Sequence, residues 1–265
     1  MKVQCGNIGV AYTVEGEGAA VVMVHGLAED RSSSWSEVQL RLHGYKSFAY
    51  DLRGHGETTL GSAEGTLDQL GGDLHSFLEE VSGPAACIGY SLGGAVVLWA
   101  ARKRPDLVRH AVLAGTSTVV GRAAAGFFGE RIRALTEDRR AFEADFRKDS
   151  LAQLVNRKDL LDSVVKRRLA AIGDGGGYIN GARAMMKLAG EPLTPLLAEL
   201  ECPLDIIQAD QDAFCPRKAA DIMRTARPDA GYYEIADAGH LMSVDQPAVY
   251  AKVIQTALNS RRALQ

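Results

Sequence analysis

No run of about 18 apolar residues occurs in this sequence, so it offers no segment for crossing a bilayer. Its first residues, Met1 to Gly6, lack the apolar stretch of a secretory signal. Cysteine is scarce. Cys5, Cys87, Cys202 and Cys215 form no C-x-x-C pair and show no metal-ligand spacing. Cys87 sits in an apolar run and is expected to be a small buried hydrophobe. A reducing cytoplasm is the expected compartment. A charge excess of one sign is also missing. The formal net charge of −3 is too small to draw the chain to nucleic acid or to a membrane surface. There is no internal repeat and no low-complexity tract. The one glycine cluster, Gly173 to Gly177, lacks a Gly-Lys-Ser or Gly-Lys-Thr ending, which argues against a phosphate loop.

What is present is an ordinary globular composition, 46% hydrophobic and 24% charged, over 265 residues. That length suits one sizeable core. Val21 to Val24 is an unbroken apolar run ending at His25-Gly26, the pattern of a strand buried on both faces. A weaker but similar run spans Ser47 to Tyr50, and further strands are expected at Ala85 to Gly89, Val108 to Ala114, Leu204 to Ala209 and Tyr232 to Ile235. Between Thr66 and Val81 apolar residues recur at helical spacing, with Thr66 placed as a cap and Gly83-Pro84 as a stop. Helices are also expected after Ser91 to about Arg104 and from Ala248 to Leu258. Alternating strands and helices predict an α/β fold with a mostly parallel sheet covered on both faces. Such sheets bind ligands at the carboxyl ends of their strands.

From about Val120 to Leu193 the rhythm changes to helical patterns without a convincing strand. The expected division is therefore a core of residues 1–119 and 194–265, with a helical insertion of residues 120–193. The glycine cluster inside it suits either a flexible joint or a surface turn.

Gly89-Tyr90-Ser91-Leu92-Gly93 fits G-x-S-x-G, placed between an expected strand and an expected helix. A serine on so sharp a turn is thrust clear of the sheet, and glycines stand where side chains would clash. Ser91 is the candidate nucleophile. A serine hydroxyl needs a base, and the base needs an orienting group. His240, in the loop after the last expected strand, is the candidate base. Asp212, following the strand Leu204 to Ala209, is the candidate acid, with Asp210 as its competitor. His43, His75 and His110 fall in helices or at strand entries and are expected at the surface or in packing. Backbone N–H groups suit an oxyanion site because they are fixed before reaction. The candidates are the Leu92 N–H, at a helix start, and the Leu27 N–H, after the first apolar strand. His25 is expected to order that loop rather than to bind a metal.

Together these residues resemble the α/β-hydrolase superfamily: His25-Gly26 after a strand, Asp51-Leu52-Arg53-Gly54-His55-Gly56, Gly89 to Gly94, Asp212 to Pro216, and Gly239-His240. The resemblance implies that Asp51 to Gly56 is a structural loop beside the site and that the insertion is a lid. One position departs from the pattern. The glycine usual three residues before the acid is Ala209 here. Within the superfamily the sequence is similar to enol-lactonases, carboxylesterases, cofactor-free haloperoxidases and meta-cleavage-product hydrolases. A serine at the nucleophile position separates it from epoxide hydrolases and dehalogenases, which carry aspartate there.

The resemblance implies a serine hydrolase of small carboxylic esters or lactones, acting without metal or organic cofactor. Its alternatives are C–C bond hydrolysis, perhydrolysis, or a small-molecule receptor on the same fold. The expected partner is a small-molecule substrate, with no nucleic acid and no membrane; no stretch argues for an oligomer. Residues 121–191 hold 14 Lys and Arg against 10 Asp and Glu, so the insertion is cationic within an anionic chain. Either these cations face an anionic substrate, or they belong to a solvated helical surface.

Overall fold

A computed structural model describes residues 1–262 of the chain. Its strands are β1 (Lys2–Cys5), β2 (Ile8–Glu15), β3 (Ala19–Val24), β4 (Tyr45–Tyr50), β5 (Ala85–Tyr90), β6 (Val108–Ala114), β7 (Leu204–Ala209) and β8 (Gly231–Ile235). Among the described residues they form one eight-stranded sheet in the order β1-β2-β4-β3-β5-β6-β7-β8. From β4 to β8 all neighbours are parallel; β1 and β2 join antiparallel at one edge. The largely apolar character of the central strands has a simple cause. Every residue of β5 and of β7 is buried, because helices cover both faces of the sheet.

The helices of one face are α1 (Arg31–Arg41) and, at the far end of the chain, α10 (Pro247–Arg262). Trp35 and Tyr250 stack between them with ring centroids 6.0 Å apart. The other face carries α2 (Leu67–Phe77), α3 (Leu92–Lys103) and α8 (Arg217–Ala226), which bury Leu70, Leu74, Val96 and Met223. Thr66 caps α2 by accepting from the Gln69 N–H at 3.1 Å. One π-helical turn, Leu78–Ser82, extends α2 before Gly83 ends it in a left-handed conformation. His110 lies buried within β6, and its Nε2 is 2.7 Å from Asp205 of β7, a packing role.

Between β6 and β7 stand α4 (Arg122–Glu137), α5 (Arg139–Ala152), α6 (Leu161–Ile172) and α7 (Gly176–Lys187). They share a small apolar cluster around Phe142, Phe146, Ile172 and Tyr178. The glycine cluster is the turn between α6 and α7. Gly177 packs so closely on Gly54 that a Cβ there would lie 2.3 Å from the Gly54 backbone. The insertion is thereby seated on the Asp51–Gly56 loop. No helix among the described residues is long and apolar enough to cross a membrane.

The topology fixes where a ligand can go. The chain leaves β3 for β4 on one side and returns to β5 on the other. The loops after β3 and β5 therefore diverge at the carboxyl edge and leave a crevice there. The insertion roofs that crevice.

Candidate active site

Ser91 is the single residue between β5 and α3, at φ 52° and ψ −117°. A non-glycine residue held at positive φ is strained, and the surrounding structure must enforce it. Two glycines make that possible. A Cβ on Gly89 would lie 2.2 Å from the Gly93 carbonyl oxygen, and one on Gly93 would lie 2.2 Å from that of Val24.

The three residues expected to act together are brought together. His240 Nε2 lies 3.1 Å from Ser91 Oγ, and its Nδ1 lies 2.7 Å from Asp212 Oδ2. The other oxygen of Asp212 accepts the Phe214 and Cys215 N–H groups, both at 2.8 Å. The carboxylate is thus pinned with one oxygen reserved for histidine. An acceptor at Nδ1 places the proton there and leaves Nε2 free to accept from the serine hydroxyl. Asp210 does something else: it accepts the Ala238 N–H at 3.1 Å and anchors the histidine loop. Ala209 ends β7 in extended backbone, so no glycine is required at that position.

Other residues frame the histidine. The Tyr90 hydroxyl donates to the His240 carbonyl at 2.9 Å, and Phe214 stacks on the imidazole with centroids 5.7 Å apart. Asp245, in α9 (Met242–Asp245), receives the Gly239 N–H at 2.9 Å. The same carboxylate also receives the N–H groups of Val155, Asn156 and Arg157 at 2.9, 2.9 and 3.0 Å. One buried anion thus ties the histidine loop to the insertion. Asp245→Ala is expected to strand these donors and cost about 3 kcal/mol. Differential scanning calorimetry should show a melting temperature lower by about 6–12 °C, and kcat should fall about tenfold as His240 loosens. An unchanged melting temperature would remove Asp245 from this role.

The loop after β3 carries the second expected oxyanion donor. His25 Nδ1 donates to the Gly26 carbonyl at 2.8 Å, and its Nε2 accepts the Leu52 N–H at 2.8 Å. Burial lowers its pKa to about 4, so the ring is neutral and both nitrogens are used. Gly26 allows the loop to approach the serine: a Cβ there would lie 2.8 Å from the Tyr90 ring and 3.2 Å from Ser91 Cβ. Among the described residues, neither the Leu27 nor the Leu92 N–H has an acceptor. The Asp51–Gly56 loop is structural, as expected. Asp51 pairs with Arg31, and Arg53 grips Asp73 through two hydrogen bonds at 2.8 and 2.5 Å.

Among the described residues one group of three possible metal ligands converges, Asp212, Cys215 and His240, within 4.8 Å of one another. Both Asp212 oxygens and both imidazole nitrogens are already hydrogen-bonded in the array above. That donor set fits proton transfer rather than metal binding.

Ser91 and His240 open onto a cavity of about 540 Å³. Phe127, Phe128, Phe146, Tyr178 and Met185 wall it from the insertion, and Leu27, Tyr90 and Phe214 from the core. Phe142 packs inside the insertion instead. Most cations of the insertion are exposed. Arg131, Arg139, Arg147 and Arg157 all hold carboxylates. Only Arg168 among the insertion's basic residues lines the cavity.

Comparison with known proteins gives concordant findings. The family model described as alpha/beta hydrolase fold matches residues 19–247. A pyrrolizixenacetamide deacetylase from Xenorhabdus hominickii is 30% identical over 116 residues, 43% of this chain and 44% of that protein. The chain thus matches under half the length of that relative. The 3-oxoadipate enol-lactonase 1 of Acinetobacter baylyi is 25% identical over 250 residues, 91% of this chain and 89% of that one. The crystal structure of the enol-lactonase from Burkholderia xenovorans LB400 superposes with a TM-score of 0.86 at 19% identity, covering 98% of this chain and 100% of that chain. At that identity the likeness is one of fold.

Proposed function

Since the chain belongs to the α/β-hydrolase fold family, we propose that it cleaves a small carboxylic ester or lactone through an acyl-enzyme on Ser91. The observation that carries this reading is the hydrogen-bonded array Asp212–His240–Ser91 opening onto the cavity. Ser91 Oγ attacks the carbonyl carbon while its proton passes to His240 Nε2. Asp212 holds the imidazole and stabilises its charged form. The oxyanion is met by the Leu27 and Leu92 N–H groups, the latter also at the positive end of the α3 dipole. Collapse of the intermediate breaks the C–O bond, and the leaving oxygen takes the proton from His240. Water then attacks the acyl-enzyme, gives its proton to His240, and releases the acid as Ser91 regains its hydrogen.

Cavity size supports a small substrate, since about 300–1,000 Å³ is usual for such ligands. The enol-lactonase that aligns over nine-tenths of the chain supports a lactone or enol ester. Residues 120–193 serve as a lid that excludes water from the acyl-enzyme. No step requires a metal or an organic cofactor. The four free thiols suit a reducing cytoplasm.

The test is turnover of p-nitrophenyl acetate and butyrate, read as p-nitrophenol, beside a five-membered enol lactone read by pH-stat. Saturable turnover of at least one substrate, with an initial burst equal to the enzyme present, is expected. No turnover of any of them, together with no labelling of Ser91 by a fluorophosphonate, would overturn the proposal.

A further inference from the structure

Resting on the hydrolytic reading of Ser91, we infer that Arg168 binds a carboxylate carried by the substrate, so that the substrate class is an ester or lactone of a dicarboxylic acid. The first support is position. The buried residues of α6 are Leu161, Val164, Val165, Arg168, Ala171 and Ile172, one continuous helical stripe. Arg168 occupies a place in that stripe where a hydrophobe is expected.

The second support is an unmatched charge. Arg168 is only 6% exposed. Its Nη1 donates to Ser150 Oγ at 2.9 Å, and its guanidinium lies 4.8 Å from the centre of the Phe146 ring. Nε is buried with no acceptor, Nη2 has none among the described residues, and no carboxylate there lies within 4.0 Å of the group. A buried cation is ordinarily paired, because leaving water costs several kcal/mol.

The acids that face Arg168 are otherwise engaged. Asp149 also lines the cavity, but Arg131 holds it through two hydrogen bonds at 2.6 and 2.9 Å. Glu29 is buried within the field of Arg168, yet it takes the Ser34 hydroxyl and makes no ion pair. Burial pushes its carboxyl above the usual range, toward the neutral form. Lys218 adds a second cation at the exposed part of the cavity wall. The cavity that holds Ser91 is therefore lined by one guanidinium whose Nε and Nη2 have no acceptor among the described residues. Those two donors form a fork that matches a carboxylate in shape and charge.

The experiment compares mono-p-nitrophenyl glutarate with the neutral p-nitrophenyl butyrate, reading the ratio of their kcat/KM values on each preparation. In Arg168→Gln this ratio is expected to fall about 10- to 100-fold, and in Arg168→Lys, which keeps the charge but not the fork, by less. An unchanged ratio would overturn the inference. Calorimetric titration of glutarate separates this outcome from the hydrolytic reading. The Ser91→Ala protein is expected to bind glutarate, and Ser91→Ala/Arg168→Gln at least about tenfold more weakly. If the wild type cleaves neither ester, the hydrolytic reading fails, and equal glutarate affinity in the two proteins would then sink Arg168 independently.

Discussion

Ser91→Ala is expected to lower kcat for every ester the protein cleaves by about four to six orders of magnitude. The argument rests on what the substitution removes and what it leaves. It deletes the atom 3.1 Å from His240 Nε2, the only hydroxyl on that nitrogen among the described residues. The Leu27 and Leu92 N–H groups and the cavity remain, so binding and polarisation of the carbonyl survive. These give a small residual rate over water, as in triad enzymes generally. Alanine retains the Cβ and hence the same backbone strain at φ 52°. The melting temperature should therefore stay within a few degrees. Burst kinetics and mass spectrometry of a fluorophosphonate adduct check the assignment. The wild type should gain one adduct and Ser91→Ala none. A variant keeping more than about a hundredth of the wild-type rate would point to another nucleophile.

How much of this was legible in the sequence depends on whether the cause is local. The strands β3 to β7 were legible because burial on both faces makes them largely apolar, and β8 at the edge was legible from its short Tyr232-Tyr233 and Ile235 pattern. The edge strand β1 and its neighbour β2 were not read: β1 is mostly exposed and carries no apolar run, and the Ile8–Tyr12 run of β2 was missed. Yet a signal existed. Cys5 pairs with Ile8 across the two residues Gly6-Asn7, with Gly6 at φ 54°, the signature of a tight hairpin. Ser91 and His240 were legible from motif and position, because the sharp turn needs Gly89 and Gly93 nearby in sequence. The choice between Asp210 and Asp212 turned on where β7 stops, and the two residues prove to anchor different parts of the same loop.

What stayed hidden is what only tertiary contact creates. Asp245 bonds to amides some 88–90 residues away, and no spacing announces that. Tyr90 holds a carbonyl 150 residues away. The cationic excess of the insertion carried no information about which cation faces inward, since most of those cations are exposed and only Arg168 of them lines the cavity. Periodicity would have found Arg168. A charged residue in phase with Leu161, Val164, Val165 and Ile172 is the local anomaly that marks an inward-facing cation.

Asp212→Asn is expected to lower kcat by about three to four orders of magnitude while the fold and KM change little. The hydrogen bonds around the side chain determine the outcome. One oxygen must keep accepting the Phe214 and Cys215 N–H groups, both at 2.8 Å. An asparagine satisfies them only with its carbonyl oxygen, so its NH2 group is turned toward His240 Nδ1. The imidazole then accepts at Nδ1 and carries its proton on Nε2, the nitrogen 3.1 Å from Ser91 Oγ. In that tautomer it cannot take the serine proton. Asp210→Asn should cost less than about tenfold, because the amide oxygen can still accept the Ala238 N–H. Steady-state kinetics on one ester with all three proteins decides between the two aspartates. A larger loss in Asp210→Asn than in Asp212→Asn would reverse their roles.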